Sequence, residues 1–225
     1  MRVELRLRQS TPALVGYYEP RTIDRCYYIR PQSIKGLWRW FARSIIAGTM
    51  YEQGYICGIS RDGARTPSKQ EVNTISYIVG KIMGLGYTDP RGLEDEASRF
   101  KLKLDMISSP STSVARRGYV YIRGRPHQLQ RVQLLTLGQT VEYFYDGTFN
   151  LSIVKSRNYD EKGEELALRT LVLALTISGI GKGARRGLGS LDIVELRGFE
   201  IERDFKIFME KTYKLALDIV KEQIE

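Results

Sequence analysis

Histidine occurs once in this chain of 225 residues and cysteine twice, at Cys26 and Cys57. Two thiols and one imidazole cannot assemble a Cys/His zinc set or a cysteine framework, so no structural zinc, disulfide staple or other cofactor is expected. No apolar run approaches the roughly 18 residues of a membrane span. The amino-terminal MRVELRLRQS alternates apolar and charged residues and has no apolar h-region, so it reads as a strand and not as a signal peptide. A cytoplasmic protein with no membrane partner is the expectation. Acids are missing where bases are dense: between Met106 and Val141 there is no Asp or Glu, whereas Arg116, Arg117, Arg123, Arg125 and Arg131 all fall inside that window. With a formal net charge of +9, this concentration favours a polyanionic partner.

The length suits one elaborated domain, 1–225, able to bury its own core. Val3, Leu5 and Leu7 alternate with charged residues as in a half-buried strand. An irregular segment, Ser10 to Pro31, leads to a helix in which Ile34, Leu37, Trp38, Phe41 and Ile45 recur at helical spacing, with Ser33 as its cap and Gly48 as its end. Residues 49–68 read as a glycine-rich loop, Lys69–Met83 as a helix and Gly84–Glu96 as an acidic turn region, so that about 49–99 forms an insertion. Strands are predicted at Phe100–Ile107, Gly118–Arg123, Gln130–Leu137 and Gln139–Lys155. A helix buried almost all round follows at Lys162–Ser178, then a strand at Asp192–Leu196 and a solvated amphipathic helix from Asp204. This order suits an α+β fold with an antiparallel sheet.

Two segments concentrate the chemistry. In "GIGKGARRGLGSL", residues 179–191, Gly179, Gly181, Gly183, Gly187 and Gly189 surround Lys182, Arg185 and Arg186. A P-loop or dinucleotide fingerprint follows a strand and opens a helix; this run follows a helix and opens a strand, and Gly183 stands where a magnesium-binding Ser or Thr would follow the lysine. That argues against ATP and leaves an anion cradle or a flexible basic connection. In "RPQSIKGLWRWFAR", residues 30–43, Lys35, Arg39 and Arg43 lie four apart and form one acid-free stripe on a helix, with Arg30 just before it. Trp38 belongs to the apolar face and Trp40 lies off it. A third stretch, "RRGYVYIRGRPHQLQR" at 116–131, matches the RNP1 pattern of RNA-recognition sheets only loosely; its alternating aromatics read as packing, and only its arginines count toward binding.

Catalysis has two candidates. His127 is the natural general base, but no carboxylate partner stands out beside it. Asp24 has the chemistry to position RNA for in-line attack, and the simpler reading is a turn carboxylate beside Arg25.

The helix wording and the glycine loop, together with "STPALVGYYEP" at 10–20, resemble the RAMP superfamily of CRISPR type III systems. The opening Arg30-Pro31 and Ser33-Ile34-Lys35-Gly36 most resemble the first-subunit family of the Cmr (type III-B) effector complexes. The resemblance implies a ferredoxin-like, RRM-related fold in which the glycine loop packs beside the first helix. It also implies contact with CRISPR guide RNA or single-stranded target RNA near the guide's 3′ end, other Cmr subunits as partners, and RNA cleavage by another subunit. Members commonly carry two such domains. One helix signature and one glycine loop here suit a half-length form, a fragment, or a protomer that associates with itself. The alternatives are a RAMP endoribonuclease that processes CRISPR transcripts with His127 or Asp24, and a purely architectural subunit.

Overall fold

A computed structural model describes residues 2–16, 18–19, 21–56, 59–60, 63–64, 67–136, 139–156, 159–184 and 187–224. In chain order its elements are β1 (Arg2–Gln9), α1 (Pro31–Glu52), β2 (Ile59–Ser60), β3 (Gly63–Ala64) and α2 (Lys69–Tyr77), which continues into a π-helical turn (Ile78–Ile82). Then come β4 (Tyr87–Thr88), β5 (Asp95–Glu96), β6 (Phe100–Ser108), β7 (Ser111–Ala115), β8 (Tyr119–Ile122), β9 (Arg125–Gln128) and α3 (Gln130–Thr136). The chain closes with β10 (Val141–Tyr145), β11 (Thr148–Lys155), α4 (Glu161–Ile177), β12 (Leu191–Arg197) and α5 (Phe205–Ile224). It divides into two compact units, each assembled from three segments: Met1–Leu37, Leu102–Ile153 and Ala174–Phe199 form the first, and Trp38–Lys101, Val154–Leu173 and Glu200–Glu225 the second.

The main sheet is ordered β12-β1-β11-β6. Taken with α1 and α4, these strands follow the β-α-β-β-α-β succession in which the first strand is central. β1 is central because its inward residues Val3, Leu5, Leu7 and Gln9 are all buried while Arg2, Arg6 and Arg8 face out. It pairs antiparallel with β12, with a register shift between Arg6 and Leu7. Gln9 is the one polar residue in that buried row, and its amide is satisfied: Nε2 donates to the carbonyls of Phe144 (2.7 Å) and Thr11 (3.0 Å).

Still in the first unit, the connection from β6 to β11 forms a meander. β7 pairs antiparallel with β10, and β8 with β9. Two-residue turns join β7 to β8 and β8 to β9; each is Arg-Gly with positive φ at both positions, Arg117 (50°) and Gly118 (85°), then Arg123 (50°) and Gly124 (77°). A core of Leu14, Ala115, Val120, Val132, Val141, Tyr143 and Leu188 lies beneath the meander, with Leu129 and Tyr145 at its margin.

Within the second unit, Trp38 is fully buried and its Nε1 donates to Ala167 O (2.6 Å) and Thr170 Oγ1 (3.2 Å). Arg99, 1% exposed, donates from Nη2 to Lys81 O (2.7 Å) and Ile82 O (2.6 Å) and lies 3.6 Å from Glu164. Glu164 also takes Lys155 Nζ at 2.5 Å. Arg99 Nη1 also lies 3.4 Å from Glu96, so two cations and two carboxylates neutralise one another.

Several predicted elements are corrected. α1 begins at Pro31, two residues before the expected cap, and the Ser33 N–H already donates to Arg30 O (2.9 Å). Proline fits the first helical position, where its missing donor costs nothing. The helix also runs past Gly48 to Glu52. Gln130–Thr136 is a helix and not a strand: of its alternating apolar residues Val132 is buried but Leu134 is 64% exposed, so the period-2 pattern has no second buried member. The single strand predicted at Gln139–Lys155 is two, β10 and β11, parted at Asp146-Gly147, where Asp146 takes φ 59°.

Candidate nucleic-acid interface

The glycine run after α4 is tightly bonded. Ile180 N–H donates to Gly189 O (2.9 Å), so the two arms of the loop meet at a neck. A Cβ at Gly179 would stand 2.1 Å from Leu188 O, and one at Gly189 2.0 Å from Ile180 O. These two glycines are therefore required by the loop's own backbone, with no ligand needed to account for them. The loop is also bonded to the segment after β1: Lys182 N–H donates to Leu14 O (2.9 Å), Gly189 N–H to Pro12 O (2.9 Å), and Ser190 N–H to Thr11 Oγ1 (2.9 Å). On its other side the same segment bridges β10 through Ala13 and Phe144. Ser10–Leu14, irregular in the sequence reading, is an extended ribbon between β10 and the loop. Gly181, Gly183 and Gly187 all take positive φ, Gly187 is exposed, and Lys182 is half-buried. Arg185 and Arg186 lie outside the described residues.

The meander of the first unit displays the acid-free window. Arg116, Arg117, Arg123 and Arg125 are exposed, and Arg123 pairs with Asp146 at 3.1 Å. Tyr119 and Tyr121 are 39% and 44% exposed while Val120 between them is fully buried. The tyrosines therefore share the outer face of β8, which corrects the reading of these aromatics as packing. The hydroxyl of Tyr143 fixes the strand from below by donating to Tyr121 O (2.5 Å). The period-2 signal was there to be read; missing was any indication that one face of β8 is open.

The carboxylate of Asp24 is buried, and four donors converge on it: the N–H groups of Cys26 (3.0 Å) and Tyr27 (3.2 Å), and Arg30 through Nε (3.4 Å) and Nη2 (3.3 Å). It is a turn carboxylate, as the simpler reading held, but its arginine is Arg30; Arg25 pairs with Glu142 at 3.1 Å. Asp24 is thus committed to building the entry to α1. Lys35, in the first unit, is half-buried.

Arg39 and Arg43 belong to the second unit, where they line a cleft of about 300 Å³ with Ser76, Thr88, Ser98 and Glu96, whose carboxylate pairs with Arg99. The Arg39 guanidinium is oriented by Leu85 O, which accepts from Nε (2.8 Å) and Nη2 (2.5 Å). Burial, reinforced by the charge of Arg43, holds its pKa below the ordinary arginine value. Arg43 is exposed and makes no ion pair among the described residues. A half-buried cation beside a second cation is a setting that an oxyanion would relieve.

His127 is on β9, opposite Val120. It lines a cleft of about 440 Å³ within the first unit, beside Pro12, Gln128, Gly187 and Leu188. Sequence reasoning did not foresee that the histidine, the Thr-Pro segment and the glycine loop meet. Among the described residues no group of three or more His, Cys, Asp or Glu side chains is placed to hold a metal ion, and no helix is long and apolar enough to cross a membrane.

The model of the RAMP superfamily matches residues 7–192. The chain belongs to the RAMP superfamily. No curated protein matches it in sequence. Among solved structures, this RAMP protein is similar to Cmr1 from Pyrococcus furiosus, at 19% identity and a TM-score of 0.53, over 100% of this chain and 60% of that one. It is also similar to a chain of a type III-B Cmr-beta assembly bound to cognate target RNA, at 16% identity and a TM-score of 0.55, over 97% of this chain and 63% of that one. The chain thus spans less than two thirds of the length of these neighbours. The likeness establishes a RAMP fold of mixed α/β type with antiparallel strand pairs and a carboxy-terminal helix.

Proposed function

We propose that this chain is an RNA-binding, non-catalytic RAMP subunit of a type III-B CRISPR complex. On this reading it contacts guide or single-stranded target RNA and works beside other Cmr subunits. The observation that carries the reading is the exposed basic surface of β8 and β9 in a RAMP protein: Arg116, Arg117, Arg123 and Arg125 stand on it within a stretch free of acids. Such a surface is attracted to phosphate whatever the base sequence. Arg39 and Arg43 add an anion-seeking cleft, and Lys182 stands on a loop held in shape by its own backbone. Arg30, Lys35, Arg185, Arg186 and the glycines of that loop belong to the same proposed contact set. The commitment of Asp24 to three backbone and side-chain partners favours the binding subunit over the endoribonuclease. The chain reads as one RAMP domain with an insertion at about 49–99, a span that falls within the Trp38–Lys101 segment of the second unit.

Reconstitution with the remaining subunits of a type III-B complex, followed by crosslinking to labelled guide and target RNA, tests this. The expected result is a crosslink to one of those RNAs and no defined cleavage by the isolated chain, with or without magnesium. Site-specific cleavage by the isolated chain, lost in His127→Ala or Asp24→Ala, would put the transcript-processing endoribonuclease in its place.

A further inference from the structure

The cleft of about 440 Å³ beside His127 has a different chemistry from the arginine surfaces around it. Its walls are apolar: Pro12, Ile122, Leu129 and Leu188 line it. Leu188 is a member of the core beneath the meander and Leu129 packs at its margin, so the cleft is an opening at the edge of a packed core. Among the described residues neither lysine, arginine nor a carboxylate lines it, and this lining suits neither a phosphate nor a cation. Gln128, Gln130, Ser10 and Thr11 are the uncharged polar residues of the lining. Gly187 also lies on the wall, where a Cβ would meet no atom within 4 Å; the absent side chain leaves space at the mouth.

A guest suited to this cleft has flat apolar faces and a polar edge, and the volume falls in the range of small-molecule pockets. Charge narrows the choice. Arg125 is paired across the hairpin with Ile122, so the two side chains leave the sheet on the same face. Arg125 is exposed and has no ion-pair partner among the described residues. His127 emerges on that face as well, two residues further along β9. An apolar slot with an imidazole at its rim and a free guanidinium beside it matches one nucleotide of a single strand: base in the slot, phosphate outside.

We propose that this cleft receives one unstacked nucleobase of bound single-stranded RNA. His127 lies against the base, Gln130 meets its edge, and Arg125 holds the adjoining phosphate. His127 thereby has a binding role and not a catalytic one. Single-stranded RNA is commonly recognised through splayed-out bases held on aromatic side chains. The proposal rests on the RNA-binding function above, and it adds contact with a base to contact with the backbone.

The test measures binding of the full chain to a labelled oligouridylate and to the same oligonucleotide with abasic sites throughout, over a series of salt concentrations. His127→Ala and Gln130→Ala change exposed side chains, and thermal melting checks that the double variant folds like wild type. The double variant is expected to weaken oligouridylate binding on the order of tenfold. It should leave abasic binding and the salt slope unchanged. Arg125→Ala should weaken both RNAs and flatten the slope of log affinity against log salt by about 0.7. Equal binding of the two RNAs by wild type, unaffected by the double variant while the Arg125 effect persists, overturns the base slot alone and leaves the cleft to a partner protein's side chain. An equal loss of both RNAs in the double variant overturns it too. Wild type that binds neither RNA in a salt-dependent way overturns the proposed function and the slot together.

Discussion

At the scale of single residues, burial separates side chains that look alike in the sequence. Arg39 and Arg43 are one helical turn apart, yet Arg39 is held by Leu85 O and Arg43 has no ion-pair partner among the described residues. Arg39→Ala should therefore lower both RNA affinity and thermal stability, because it leaves a carbonyl short of its donors, whereas Arg43→Ala should lower affinity with melting unchanged. Asp24 presents the sharper case. Its carboxylate gathers two peptide N–H groups and Arg30, so Asp24→Ala is expected to destabilise folding by roughly 1–3 kcal/mol in chemical denaturation. Substrate turnover has no part in that effect. A variant as stable as wild type would show that the turn into α1 does not depend on the carboxylate.

Among the elements, the parts with strong periodicity were legible and the parts that depend on distant partners were not. β1, α4, α5 and the apolar face of α1 follow from their spacing, because each has a face that must be buried whatever it packs on. The Arg-Gly hairpins were missed because a positive φ at arginine is not signalled as it is by Asn or Asp. The basic stripe and the glycine loop could be found by composition. The cleft beside His127 could not, since it joins residues 12, 127 and 187, which only the fold brings together.

Ion pairs between elements of the second unit make testable claims as well. Glu164 of α4 balances Lys155 of β11 and, together with Glu96, Arg99, all nearly buried; Glu164→Gln should cost about 3–5 kcal/mol, since it takes the carboxylate from buried Lys155 and leaves Arg99 with Glu96 alone. Glu202 accepts from Arg169 of α4 at 2.8 Å and lies 2.9 Å from Lys211 of α5. Chiefly through the Arg169 hydrogen bonds its pKa is lowered from 4.5 to about 2. The depressed value means that the pair stabilises the folded state in full above the ordinary carboxylate range. That stability is lost as pH falls from about 4.5 toward 2. Glu202→Gln should melt lower than wild type at neutral pH, and the gap should close across that window. A gap that stays constant down to pH 2 would mean that the ionised carboxylate is not what stabilises.

For the whole molecule the governing quantity is the +9 net charge and how much of it meets phosphate. Each unit exposes an arginine without an ion-pair partner among the described residues: Arg125 in the first and Arg43 in the second. Every phosphate contact made to a single strand contributes about 0.7 to the slope of log affinity against log salt. If one RNA touches both units, Arg43→Ala and Arg125→Ala should each flatten the slope by about 0.7, and the double variant by about 1.4. Energies are a less reliable guide than slopes here, because contacts to one bound strand couple and the double variant loses less than the sum once binding approaches its non-specific floor. The slope counts released counterions and so reports contacts directly. A slope that responds to Arg125→Ala but not to Arg43→Ala would confine the RNA to the first unit and leave the cleft of Arg39 and Arg43 to a different anion.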